Sequence, residues 1–86
     1  MKITEAMNTY NIALFTIKNK GFNVSLEMND AKDEILFWVA KNNNVAVSAF
    51  NPLSLLALVE IFEKYGENWN FVETGNIYDE ILNSEM

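Results

Sequence analysis

The side chains best suited to chemistry in this sequence are carboxylates and serines. Acidic residues stand close together in three places: Asp33 with Glu34, Glu60 with Glu63, and Asp79 with Glu80. Acid–base catalysis by carboxylates needs two groups that flank one substrate, and nothing in the sequence ties these acids to a pocket. The serines have no base to activate them, because the chain contains no His. We therefore predict a protein without catalytic residues.

The sequence also offers few residues that could bind a metal or a cofactor. The chain has no Cys and no His, the side chains that most often bind zinc and other transition metals. The acidic segment 30–34 lacks the alternating ligands, central Gly and distal Glu of a calcium-binding loop. The three glycines are far apart and form no phosphate-binding loop. We predict no metal and no cofactor.

The charge of the chain argues against nucleic acid and anionic membranes as partners. Its 86 residues include twelve acids and six Lys with no Arg, for a net charge of −6. Phosphate binding depends on clustered Lys and Arg, which this chain lacks. Residues 1–59 are neutral overall, so the whole net charge lies in residues 60–86. This acidic third either keeps the chain soluble or attracts a basic protein.

The hydrophobic pattern predicts two long helices around three strands. A stripe at helical spacing indicates a helix over residues 4–20, with Thr4 as cap and Gly21 as terminator. The segment Asn51-Pro52 announces a second helix, which ends before Gly66. The remaining predictions are strands at 22–29, 35–40 and 45–50, an extended segment at 69–72, and a short helix around 77–82.

These elements make one domain, residues 1–86, of the α+β class. The order α-β-β-β-α, followed by a short α, predicts a three-stranded antiparallel meander with both long helices on one face. This order resembles that of the double-stranded-RNA-binding domain, but no basic cluster marks the start of the last long helix. Because the N-terminus has no apolar leader segment and no apolar run is long enough to span a membrane, we expect a cytoplasmic protein.

The middle strand is apolar on both faces, so one of them needs a cover. With a three-residue turn at 42–44, Phe37 and Val39 face the helices, and Leu36, Trp38 and Phe50 form an outer apolar spot. A two-residue turn, Asn43-Asn44, exchanges the faces of the third strand relative to the second. The cover is the C-terminal segment, a second copy of the chain, or another protein.

The composition therefore predicts a small protein-interaction module that acts by binding. A concrete version is an immunity or inhibitor protein for a basic toxin or enzyme, with aromatic anchors and acids that speed association. The alternative is a homodimeric structural or accessory protein. The candidate partner-binding residues are the outer apolar spot, a tryptophan and three acids of the last third: Leu36, Trp38, Phe50, Trp69, Glu60, Glu63 and Glu67.

Overall fold

The computed structural model describes residues 1–85 and shows the predicted order of elements. The mixed α+β fold, with a three-stranded antiparallel sheet of order β1-β2-β3, is confirmed. Its elements are α1 (Thr9–Asn19), β1 (Asn23–Met28), β2 (Ile35–Lys41), β3 (Ala46–Ala49), α2 (Pro52–Tyr65), a 3₁₀ helix (Gly66–Phe71) and α3 (Ile77–Glu85).

Helix α1 is shorter than predicted at its N-terminus. It begins at Thr9 rather than near Thr4, and the apolar side chains of Ile3 and Met7 are exposed. A helical stripe forms a stable helix only where it is packed against a neighbour. In α1 the fully buried residues are Ala13 and Ile17, so the packing begins beyond the first predicted turn.

Helix α1 ends, and helix α2 begins and ends, as the sequence predicts. Gly21 follows α1 with a φ of +91°, a conformation that favours glycine. The Asn51 side chain accepts a hydrogen bond from the backbone N–H of Ser54 at 2.8 Å, which caps α2. Pro52 opens that helix, and Gly66 closes it with a φ of +72°. The predicted bounds of α2 are therefore confirmed.

The turn between β2 and β3 takes the shorter of the two predicted forms. Trp38 pairs with Ala49 and Ala40 pairs with Val47. This register corresponds to a two-residue Asn43-Asn44 turn. The Asn42 side chain stabilises the turn by accepting hydrogen bonds from the backbone N–H groups of Asn44 and Val45.

A bulge shifts the register of the first hairpin. Met28 pairs with Ile35, as predicted, but Glu27 pairs with Phe37, so Leu36 is an extra residue on β2. Beyond this point, Leu26 pairs with Trp38 rather than with Phe37. The predicted faces of β1 and β3 are correct, whereas β2 is turned over relative to both.

The core lies between the helices and the face of the sheet that carries Trp38 and Ala40. Its buried members come from both long helices, the sheet and the segment after α1: Ile17, Phe22, Ala40, Ala49, Leu55 and Val59. Trp38 is half-buried and packs against this cluster. The small side chains of Ala40 and Ala49 let the helices approach the sheet closely.

The C-terminal part contributes nothing to this core. Residues 66–71 form a 3₁₀ helix against α2, so the extended conformation predicted for 69–72 is wrong for 69–71 and is found only at Val72. The short third helix is present as α3, but all of its residues are exposed. Across residues 1–85, no helix has the length and apolar character that a membrane crossing requires.

Candidate functional site

The face of the sheet turned away from the helices, here called the outer sheet face, has an aromatic centre. The rings of Phe37 and Phe50 are stacked, with centroids 5.3 Å apart and planes 23° apart. Val39 lies on the same face, between Ser25 and Ser48 in the register. Phe50 is 80% exposed, so no segment among residues 1–85 covers this centre. An apolar centre with a polar rim is typical of a protein-binding patch.

The prediction that Trp38 shares this face with Phe50 is wrong. Trp38 points to the helix side, because the Leu36 bulge and the two-residue turn both shift β2 by one residue. Leu36 is partly exposed at the bulge. The idea behind the prediction holds, since β2 is apolar on both faces. Phe37 and Val39 occupy the places that were assigned to Leu36 and Trp38.

Two of the predicted acids are engaged within the chain. Lys20 Nζ lies 2.7 Å from Glu63 Oε1 and 2.9 Å from Glu60 Oε1, which joins the end of α1 to α2. The hydrogen bonds that Lys20 donates to Glu63 and, second, to Glu60 raise the pKa of Lys20 above its ordinary 10.5. Glu67, the third predicted acid, is exposed in the 3₁₀ helix.

Trp69 lines a separate apolar groove. This groove, of about 210 Å³, lies where α2 and the 3₁₀ helix meet the β3 side of the sheet. Its other walls are hydrophobic side chains of β3, α2 and the preceding turn: Val45, Ala46, Val47, Leu58, Ile61 and Phe62. Trp69, Leu58 and Ile61 remain substantially exposed, so the groove is open to solvent.

The seven predicted residues therefore do not form one site. Phe50 belongs to the outer sheet face, Trp69 to the groove, and Glu60 and Glu63 to the α1–α2 junction. Within residues 1–85, no group of three carboxylates is placed to hold a metal ion. The outer sheet face and the groove are both apolar, which suits a protein better than a charged small molecule.

Phe37 and Val39 lie on the outer sheet face, although the sequence pattern predicted that they face the helices. The signal that identifies them is the run Asn42-Asn43-Asn44, because an Asn side chain accepts hydrogen bonds from the backbone of a tight turn, as Asn42 does from Asn44 and Val45. The groove residues have a signal of their own. Helix α2 is apolar around most of its circumference, which indicates a second surface in need of a partner.

Comparisons with known proteins identify no relative of this chain. The chain matches no protein-family model, no curated protein and no solved structure. The fold, the outer sheet face and the groove are therefore the observations from which a function is to be inferred.

Proposed function

We propose that this chain is a small acidic protein-interaction module that acts by binding a basic protein, without catalysis of its own. An immunity or inhibitor protein that neutralises a basic toxin or enzyme is the concrete form. The stacked Phe37–Phe50 pair on the uncovered outer sheet face is the observation that carries the proposal. The absence of His and Cys from the sequence supports a binding role over a catalytic one.

Phe50 provides the anchor of the proposed interface. A Phe side chain buries on the order of 150 Å² when a partner covers it. At about 25 cal/mol per Å², this burial stabilises a complex by about 4 kcal/mol before the cost of association. Because Phe37 already holds the ring on one side, little conformational freedom remains to be lost. These properties match those of the few residues that dominate binding energy in protein interfaces.

The acidic C-terminal part provides the electrostatic attraction. Glu60 and Glu63 form ion pairs with Lys20, but residues 67–85 carry five further acids and no basic residue. All five are exposed: Glu67, Glu73, Asp79, Glu80 and Glu85. A concentrated charge of one sign accelerates association with a partner of the opposite sign, and salt weakens this effect. A basic protein is therefore the partner best matched to this surface.

Affinity capture with three baits tests the proposal. The baits are the unmodified chain, Phe50→Asp and Asn11→Asp, which places the same charge at an exposed position of α1, away from the outer sheet face. We expect one basic protein to be retained by the unmodified chain and by Asn11→Asp, and to be lost with Phe50→Asp. Raising the salt concentration is expected to slow its association. A set of captured proteins identical for all three baits, or with no basic member, contradicts the proposal.

A second candidate, a homodimeric accessory protein, is favoured by the total surface of the chain. Its accessible surface is 7210 Å², whereas a compact monomer of 9.9 kDa has about 5,200 Å². The radius of gyration is 15.4 Å, against about 12 Å for a compact domain of this length. A single chain therefore leaves about 2,000 Å² that a second copy could bury. Light scattering on the purified chain distinguishes a dimer from a monomer.

A further inference from the structure

Helix α3 has an apolar side with no partner in its own chain. Four large side chains lie along it at spacings of one, three and one residues: Ile77, Tyr78, Ile81 and Leu82. Each of them is between 41% and 77% exposed. A nine-residue helix is marginal in water and gains most of its stability from packing an apolar side. This helix therefore needs a surface that residues 1–85 of its own chain do not provide.

Helix α2 has a matching apolar stripe. Leu58, Ile61 and Tyr65 follow one another at steps of three and four residues, so they lie along one side of the helix. They are 38–46% exposed, and Trp69 of the 3₁₀ helix extends the stripe beyond the helix end. The groove described above runs beside Leu58 and Ile61. Stripe and groove together have the character of a seat for an amphipathic helix.

The exposed area identifies the occupant as a second copy. A specific interface of standard size buries about 800 Å² of each chain, and the excess of about 2,000 Å² per chain is large enough to include it. An isologous two-fold contact uses the same two elements twice, so each α3 would cover the other chain's groove. This arrangement removes both unpartnered apolar surfaces at once.

The charges around the two elements are compatible with this contact. Helix α3 carries Asp79, Glu80 and Glu85 and no basic residue. Lys64, the one basic residue of the last 27, lies between Ile61 and Tyr65 on α2 and approaches the Tyr65 ring to 5.7 Å. An α3 seated on the stripe brings its acids toward this lysine, while Glu60 and Glu63 of α2 are already paired with Lys20 and Glu67 lies beyond the helix end.

We propose that two copies of this chain form a two-fold dimer in which α3 of each copy packs against the Leu58–Ile61–Tyr65 stripe and the adjoining groove of the other. The inference rests on the second candidate function above and does not involve the outer sheet face. That face stays free on both copies for a separate partner.

A matched pair of α3 variants tests the dimer. Ile81→Asp places a charge on the apolar side of α3, and Asn83→Asp places the same charge on its polar side. Both positions are exposed, so neither substitution removes core packing. By sedimentation or light scattering, we expect a dimer that Ile81→Asp weakens by about 30-fold or more, with Asn83→Asp changing it less than 3-fold. Equal effects of the two variants overturn the proposal.

Disulfide trapping identifies the contact, because the chain has no cysteine of its own. Copies with Ile61→Cys are mixed with copies carrying Ile81→Cys, and a second mixture pairs Ile61→Cys with Asn83→Cys. We expect the mixed disulfide to form readily in the first mixture and slowly in the second. A stable dimer without this preference means that the homodimer uses other surfaces, which overturns the α3 contact alone.

A monomeric chain overturns both the dimer and the second candidate function. In that case, the double variant Ile61→Cys/Ile81→Cys shows whether α3 folds back onto its own α2. An internal disulfide in this variant assigns the groove to the chain's own helix. Capture of a basic partner through Phe50 is unaffected by either result, so the two proposals fail or stand separately.

Discussion

Replacing Ala40 by Asp is expected to destabilise the domain strongly, whereas the same change at the adjacent Val39 destabilises it only slightly. The two residues are consecutive on β2 and differ in the face that they occupy. Ala40 is 0% exposed and pairs with Val24 and Val47 on the helix side. Val39 is only partly buried, and its side chain lies on the outer sheet face.

The magnitudes follow from these surroundings. An unpaired carboxylate at Ala40 is buried away from water, at an effective cost of several kcal/mol, or about 5. A domain of 86 residues has a free energy of unfolding of about 4–13 kcal/mol, so the change removes between about two fifths and all of it. At Val39 the change removes part of a valine's burial and some strand propensity, about 1–2 kcal/mol together. The difference between the two variants is therefore about 3 kcal/mol or more.

Urea unfolding measures this difference. Trp38 packs against the core, so tryptophan fluorescence and far-ultraviolet circular dichroism follow the same transition. Each variant adds one negative charge, and the two positions are adjacent in the sequence. The effect of net charge is therefore the same in both variants and cancels in the comparison. Similar midpoints for the two variants, or a lower midpoint for Val39→Asp, would refute the register of β2.

Two further predictions concern the helices. Asn51→Ala removes the side chain that accepts a hydrogen bond from the Ser54 N–H. It is expected to lower the free energy of unfolding by about 1 kcal/mol in urea titrations, and an unchanged free energy would contradict the cap. Because Glu63 and Glu60 raise the pKa of Lys20, its contribution to stability is complete below about pH 10.5 and is lost as the pH rises through the higher folded value. Between pH 9 and 12, the free energy of unfolding should therefore decrease more steeply with rising pH for the unmodified chain than for Lys20→Gln. Equal slopes for the two chains would contradict the ion pairs.

The helix ends and the order of elements could be predicted because local chemistry determines them. Asn51 and Pro52 satisfy the first turn of α2, and Gly21 and Gly66 adopt the positive φ that ends each long helix. These signals act over a few residues and need no knowledge of the tertiary structure. The N-terminal turns of α1 lack a packing partner, so a periodic pattern alone overestimated the helix there.

The faces of β2 could not be predicted because its sequence is apolar on both sides. Register is well specified only where polar and apolar residues alternate, as they do in β1. In β2 the decision depends on the bulge at Leu36 and on the length of the Asn43-Asn44 turn. Both features shift the strand by one residue, and neither leaves a mark in the hydrophobic pattern. The outer sheet face was therefore expected, but with the wrong members of β2.

The tertiary position of the C-terminal third was the least predictable part. Its apolar residues suggested a cover for the sheet, yet Trp69 lines the groove beside α2 and α3 remains exposed. An amphipathic helix has the same pattern whether its partner is its own chain or another one. The sequence therefore identified the need for a partner surface without identifying which surface meets it.

A nuclear magnetic resonance map of the complex with the captured basic protein tests the binding face most directly. When the unlabelled partner is added to the isotope-labelled chain, we predict that the largest backbone amide changes occur at Phe37, Val39, Ser48 and Phe50. The amides of α1 are expected to change little. Perturbations confined to other elements, with these four positions unchanged, would contradict the assignment of the outer sheet face as the interface.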